Sequence, residues 1–345
     1  MSTTASSIEW TDRTWNPVRG CSRISPGCEN CYAEQIAVRF SGPGLPFEGF
    51  ATRGKNGARW TRKLALVEDA LGDPLTWRKP ARVFVNSMSD LFHEALSDEA
   101  IEAVFGVMIA AGHHTFQVLT KRADRMREFM SKTTAERCAA EITARHDIEF
   151  SSKGGRRNRL ENDPPGWRWP PRTVWLGVSV EDQERADERI PHLLRTPAGV
   201  RFLSCEPLLG EVNLEPYMPG WTCLRCGAFM LGRHADVDEG ESSPLCSSCG
   251  SMNVEARGID WVIVGGESGR HARGFNVSDG LSIVDQCHRA NVPLFVKQLG
   301  AQPYWPPTGA PDDEGDTLEL RDSKGGDPNE WPADLRVREF PEVRP

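Results

Sequence analysis

Six short apolar runs, each closing on polar or glycine residues, constrain the fold of this chain more than any other feature. They are Arg82-Val-Phe-Val-Asn86, Phe116-Gln-Val-Leu-Thr120, Val174-Trp-Leu-Gly-Val178, Val200-Arg-Phe-Leu203, Trp261-Val-Ile-Val264 and Pro293-Leu-Phe-Val296. Runs of this length, rich in β-branched and aromatic residues, read as strands buried on both faces. Helical patterns lie between them. Ser97 is an N-cap with acids in the turn behind it, and Glu181 to Leu194 and Ser278 to Ala290 have helical character. Strand–helix alternation implies right-handed crossovers and a parallel sheet. The pattern predicts an α/β protein built as a partial (β/α) TIM-like barrel of parallel strands; a flat doubly wound sheet is the other arrangement it allows. In a barrel the C-terminal strand tips face the active site. That rule gathers Ser87, Asp90, Lys121, Ser179, Glu181, Glu206, Glu267 and Lys297 into one candidate rim. His113 and His114 precede a strand, at the opposite end, and read as structural.

Cysteine spacing adds two metal candidates. Cys21, Cys28 and Cys31 form C-x6-C-x2-C, one thiolate short of a closed four-ligand site. Structural zinc takes four protein ligands, whereas a reactive metal keeps a position open. A cubane iron–sulfur cluster on three cysteines would leave one iron exposed. Cys223, Cys226, Cys246 and Cys249 form C-x2-C-x19-C-x2-C, two knuckles with the spacing of a structural zinc ribbon. The chain then divides into a barrel (1–210 and 259–300), a zinc-ribbon-like insertion (211–258) and an acidic, Pro- and Gly-rich tail (301–345) expected to be weakly ordered. Cys138, Cys205 and Cys287 have no ligand-spaced neighbours.

The chain has 345 residues, 39% of them hydrophobic, enough for a large core. No segment approaches the roughly 20 apolar residues that span a bilayer, and the N-terminus is small and polar. A cytoplasmic location is expected, where ten cysteines point to metal or redox chemistry rather than disulfides. A formal charge of −8 argues against indiscriminate coating of nucleic acid. Two basic stretches stand apart from it. One holds Arg53, Lys55, Arg59, Trp60, Arg62 and Lys63; the other holds Lys153, Arg156, Arg157, Arg159, Trp167, Arg168, Trp169 and Arg172. Arginine interleaved with tryptophan suits phosphate neutralisation with base stacking, and equally a solvated loop whose Trp side chains fold onto the core.

The segment Ile8-Glu-Trp-Thr-Asp-Arg-Thr-Trp-Asn-Pro-Val-Arg-Gly-Cys21 with Ser25-Pro-Gly-Cys-Glu-Asn-Cys-Tyr-Ala-Glu34 resembles a phage and prophage family defined by this three-cysteine motif. Further matches are Asn86-Ser-Met-Ser-Asp-Leu-Phe-His93, Leu119-Thr-Lys-Arg122, Gly177-Val-Ser-Val-Glu181, Leu203-Ser-Cys-Glu-Pro-Leu-Leu209 and Trp261-Val-Ile-Val-Gly-Gly-Glu-Ser-Gly269. The layout is also similar to the radical S-adenosylmethionine (SAM) superfamily, and within it to spore photoproduct lyase. There a cysteine triad precedes a partial barrel, an Asp-bearing loop follows the second strand and a Thr-Lys dipeptide ends the third. Asp90 and Thr120-Lys121 stand in those places. Two departures are plain. The superfamily's usual triad is C-x3-C-x2-C, and Gly265-Gly-Glu267 lies on a late strand instead of the second.

The resemblance implies a 4Fe-4S cluster on Cys21, Cys28 and Cys31, with SAM on the open iron. Reductive cleavage of SAM would then give a 5′-deoxyadenosyl radical acting on a nucleic acid or a nucleobase-derived group. Tyr32, Asp90, Ser179, Glu181 and Glu267 are its cofactor-binding candidates; Lys121, Cys205 and Glu206 are its candidates for substrate chemistry. Cys205 reads either as a hydrogen donor or as a packed small hydrophobe. A protein partner encoded nearby is also expected. Two readings from other classes stay open, a non-catalytic zinc adaptor for nucleic acid or protein and a metal-dependent barrel hydrolase.

Overall fold

The computed structural model describes residues 6–55, 57–146, 169–223, 225, 229–231, 248–250, 254–307 and 315–342. The chain forms two compact units, Met1–Ser179 with Arg195–Gly199 and Val180–Leu194 with Val200–Pro345. The first holds strands β1 (Arg13–Trp15), β2 (Arg82–Val85), β3 (Thr115–Thr120) and β4 (Val174–Ser179). They pair in parallel and in chain order, through Thr14 with Phe84, Phe84 with Gln117, and Gln117 with Trp175. The second holds β5 (Val200–Cys205), β6 (Trp261–Gly265) and β7 (Leu294–Gln298), again parallel, with Ile263 set between Ser204 and Phe295. Parallel strands in uninterrupted chain order are the arrangement of a partial barrel; a doubly wound sheet reverses its order part-way. All residues of β4 and β6 are buried, as continuous apolar runs require.

Helices cover these strands. The first unit carries α1 (Tyr32–Arg39), α2 (Asp98–Ala110), α3 (Ala123–Lys132) and α4 (Ala135–His146). The second carries α5 (Gln183–Leu194) and α6 (Val277–Ala290). Ser97 caps α2, its side chain accepting from the Ala100 amide at 3.3 Å. Burial of α2 from Ala100 to Ile109 leaves no solvent face, because α4 packs on its outer side. Gly106 permits that approach: a Cβ there would stand 2.3 Å from the Cys138 carbonyl oxygen. Cys138 is therefore a packing residue of the helix pair. Asn276 caps α6 and Asn291 ends it in the left-handed conformation, φ 53°.

The C-terminal segment departs from the expected weakly ordered tail. Its backbone runs along β7, the Val296 amide donating to the Val337 carbonyl at 2.9 Å and the Glu339 amide to the Leu294 carbonyl at 2.8 Å. Trp331 and Leu335 are buried, and Phe340 lies 5.4 Å from the Trp261 ring. Sparse apolar residues between the acids anchor the segment and cover the free edge of β7. In the proposed insertion, Phe229–Leu231, Gly220–Cys223 and Val254–Arg257 form an antiparallel sheet with Gly220–Cys223 in the middle. Cys226, Cys246 and His234 lie outside the described residues, as do Arg156, Arg157, Trp167 and Arg168. No helix among the described residues is long and apolar enough to cross a membrane.

His114 is buried beside Trp77 and His113, with Nε2 3.3 Å from the Pro74 carbonyl oxygen. Burial, and then the neighbouring His113, lowers its pKa from 6.5 to about 4. The unfolded chain thus takes up a proton that the folded chain refuses as pH falls through 6.5. Stability is expected to drop by up to about 1.4 kcal/mol per pH unit from this group between those values and to be indifferent to it above them. Urea midpoints across that range check this, with His114→Phe removing the slope that His114 contributes.

Candidate functional site

The three N-terminal cysteines sit on a loop that the rest of the first unit holds at several points. Gly20 opens the loop in a bridge with Ser89, and its φ of 91° suits glycine. A Cβ at Gly20 would fall 1.9 Å from the Lys63 carbonyl oxygen, so no other residue fits. The turn after β2 receives the preceding strand: Asn86 Oδ1 accepts from the Val18 amide at 3.2 Å, and Ser89 Oγ donates to the Val18 carbonyl at 3.0 Å. Asn16 returns the favour by accepting from the Ser87 hydroxyl and the Met88 amide. The Asn86-Ser-Met-Ser-Asp90 motif is the seat of the cysteine loop.

Behind it lies a buried polar network. Asp90 Oδ1 accepts from the Phe92 amide at 3.0 Å and the Thr120 hydroxyl at 2.7 Å. Its Oδ2 accepts from the Lys121 amide at 3.1 Å and Arg122 Nη1 at 2.9 Å. Arg122 is buried and reaches onward, Nη2 to Ser22 Oγ at 2.9 Å and Nε to Glu94 Oε1 at 2.8 Å. His93 Nδ1 accepts from the Ala95 amide, which leaves the neutral ring's proton on Nε2 to donate to Ser22 Oγ at 2.8 Å. Two donors therefore fill the lone pairs of Ser22, the residue next to Cys21. Burial, then the Arg122 charge, holds His93 below its ordinary value, consistent with a neutral ring.

A second buried carboxylate closes the other side. Arg23 places Nε 3.0 Å from both oxygens of Glu34, a carboxylate only 1% exposed, and the Trp60 amide donates to the same group at 3.2 Å. Glu34 thus joins the cysteine loop, α1 and the hairpin formed by Ala51–Gly54 and Gly57–Trp60. Pro26–Cys28 makes a single tight helical turn, and Cys31 stands at the N-cap position of α1. The three thiols are half-buried and form no disulfide. Burial, then the Asp90 carboxylate, pushes Cys21 up to about 12; burial also raises Cys31. Metal-free, these two stay protonated at neutral pH, and a metal must displace their protons.

Among the described residues, no group of three or more His, Cys, Asp or Glu side chains is gathered so as to hold a metal ion. That bears on a single ion. In a cubane each cysteine binds a different iron, so its three sulfurs need not converge on one point. Three undisulfided thiols on one anchored loop suit such a cluster in donor chemistry.

The remaining expected residues divide between the units. Tyr32 begins α1 half-exposed, its hydroxyl donating to the Ser87 carbonyl at 2.6 Å. Ser179 is buried at the end of β4. In the second unit Glu181 is buried against Arg189 at 2.9 Å, and Glu267 accepts from the Arg273 amide at 2.9 Å and Nε at 3.1 Å. Glu206 Oε1 lies 3.0 Å from Lys297 Nζ, and its Oε2 accepts from Ser204 Oγ at 3.2 Å. Gly265 makes room for that carboxylate, since a Cβ there would be 2.9 Å from Oε1. Cys205 is fully buried within electrostatic reach of Cys287 on α6, and desolvation raises its pKa well above the ordinary thiol value. That is the environment of a packing residue. Trp60 is partly buried against Phe47, ring centroids 6.4 Å apart, so it builds the hairpin's base. The sequence alone assigns no role to Arg122, Ser22, His93, Arg23 and Glu34, although Glu34, His93 and Arg122 close three of the motifs quoted above.

A family profile spanning residues 5–323 matches the chain, with the description "protein of unknown function (DUF5131)". The chain belongs to the DUF5131 family. No curated protein and no solved structure matches it. The matched span takes in the cysteine loop, the Asp90–Arg122 network and all seven parallel strands.

Arg122→Met is expected to leave Asp90 buried without its cation and to cost about 3–5 kcal/mol in urea unfolding, with Arg122→Lys recovering part of the loss. In folded Arg122→Met protein Cys21 should react faster with a thiol reagent, because Ser22 loses an anchor.

Proposed function

We propose that this DUF5131 protein is a radical SAM enzyme of the phage and prophage type that acts on a nucleic acid or a nucleobase-derived group. The observation that carries the reading is the three-thiol loop, anchored at Gly20, Ser22, Arg23 and α1 yet lacking a fourth cysteine. Cys21, Cys28 and Cys31 would hold the 4Fe-4S cluster. When bound, the reduced cluster and SAM together supply a 5′-deoxyadenosyl radical for hydrogen abstraction.

The chain's own residues orient and exclude. Arg122 and His93 fix Ser22, and with it the backbone beside Cys21, so the loop need not reorganise when the site fills. Asp90 has four donors, which makes it the support of this arrangement instead of a direct ligand to ribose. Tyr32, half-exposed and tied down through its hydroxyl, offers a ring face to an adenine. In the second unit Glu206 and Lys297 are a partly exposed acceptor and donor for a polar substrate group.

Cys223, Cys226, Cys246 and Cys249 are proposed to bind structural zinc. Antiparallel pairing sets Cys223 opposite Val254, five residues after Cys249, which brings the first knuckle near the chain leaving the second.

Anaerobic reconstitution with iron and sulfide should give a brown protein absorbing at about 400 nm. SAM with a reductant should then yield 5′-deoxyadenosine. Cys28→Ala should lose the colour and the product while keeping about one zinc per chain. A colourless wild-type protein carrying zinc in both cysteine sets would establish the adaptor instead.

A further inference from the structure

We propose that the hairpin 51–60, its extension to Lys63 and the exposed rim of α1 form a docking surface for single-stranded nucleic acid. This deepens the nucleic-acid half of the proposed function and is independent of the cluster. Between Arg39 and Lys63 stand six basic residues, Arg39, Arg53, Lys55, Arg59, Arg62 and Lys63, against one acid, Glu48, in a chain whose net charge is −8. All six basic residues are exposed. Among the described residues no carboxylate lies within ion-pair distance of Arg39, Arg53, Lys55, Arg62 or Lys63, and Arg59 approaches only Glu34, at 4.0 Å. Glu34 is already held by Arg23, and Glu48 accepts from the Gly44 amide at 2.7 Å. These cations can therefore meet phosphates without first breaking an internal pair.

The overlapping stretch from Ile24 to Leu45 carries an unusual share of exposed apolar surface. Of the five large hydrophobics exposed among the described residues, Ile24, Tyr32, Phe40 and Leu45 fall between residues 24 and 45, each 41–49% exposed. Phe40 follows α1 at the end that leads on to the basic hairpin, and its exposed ring offers a stacking face for a base. Behind this surface the hairpin rests on α1 through Ala33, Ala37 and Ala51, with Phe47 and Trp60 packed against them. Aromatic faces open to solvent select unpaired bases, since a duplex buries its own. Trp60 builds the platform, and the contact falls to Arg53, Lys55, Arg62 and Phe40.

Fluorescence anisotropy of the full-length protein with a labelled oligothymidylate of about 20 nucleotides tests this. Wild-type protein should bind with an affinity that falls as salt rises. Lys55→Glu with Arg53→Glu should weaken binding at least about tenfold and flatten the salt dependence by roughly 1.4 in log–log slope, two phosphate contacts for a single strand. Phe40→Ser should weaken binding about five- to hundredfold and leave that slope unchanged. The exposed control Lys324→Glu, far along the chain, should change neither. Equal losses in the Arg53→Glu, Lys55→Glu double variant and in Lys324→Glu, an absence of oligonucleotide binding at low salt, or binding only to anionic lipid vesicles would overturn the proposal. SAM cleavage is followed separately in wild-type protein. Binding without cleavage sinks the radical reading alone, and cleavage without binding sinks this surface alone.

Discussion

Asp90 and Arg122 form the buried ion pair on which the candidate site depends. Two charges removed from water are costly, and a pair of this kind holds together only where the remaining lone pairs and protons are also satisfied. Here Asp90 receives four donors from the Phe92 and Lys121 amides, the Thr120 hydroxyl and Arg122. Three of those donors belong to the tip of β3 and its continuation, while Asp90 itself follows β2, so the pair ties two adjacent strand tips. Arg122 then extends the tie to Ser22, beside Cys21. A loop of irregular backbone becomes as fixed as the sheet it leans on, the condition for holding a cofactor without a further ordering cost.

Glu34 has the corresponding part on the other side of the loop. It draws Arg23, α1 and the Trp60 amide to one carboxylate, so the cysteine loop and the basic hairpin share an anchor. The second unit uses its acids in a related way. Glu181 holds Arg189 and Glu267 holds Arg273, while Glu206 is shared between Lys297 and Ser204. A hydrolytic metal centre needs carboxylates free to ligate, and acids already neutralised by guanidinium or ammonium groups serve that chemistry poorly. The pairing of these residues weighs against the hydrolase reading that their strand-tip positions suggested.

Much of the fold was legible because burial on both faces writes itself into the sequence. Each of the six apolar runs is a strand whose ends lie within two residues of the run's, and the three helical stretches are helices, one starting behind the Ser97 cap, one at Gln183 instead of Glu181 and one at Val277 instead of Ser278. The strand Arg13–Trp15 escaped notice, being three residues long and half polar. The hairpin at 51–60 did too, since its Gly- and Arg-rich strands bury little apart from Ala51 and Ala58. The ordered C-terminal segment was hidden by composition: its acids dominate any average, while Trp331, Leu335 and Phe340 do the anchoring. Of the candidate site, the cysteine spacing and the motif residues stand in the sequence. The pairings of Arg122, Ser22 and Glu34 do not, because they join positions eleven to a hundred residues apart.

Strand periodicity settles how the end of β5 divides its labour. Successive side chains in a strand point to opposite faces, so Ser204 and Glu206 share one face and Cys205 takes the other. The hydroxyl and carboxylate are joined to each other and to Lys297 at the tip of β7, with Gly265 of β6 left bare to admit them. The thiol goes to the apolar side with Cys287 of α6. A tripeptide of three reactive-looking residues therefore holds one polar face and one packing residue. The sequence shows the alternation but not which face is the core; the position of α6 decides that. Hydrogen donation by Cys205 would require its strand to turn over, and the Glu206–Lys297 pair opposes that rotation.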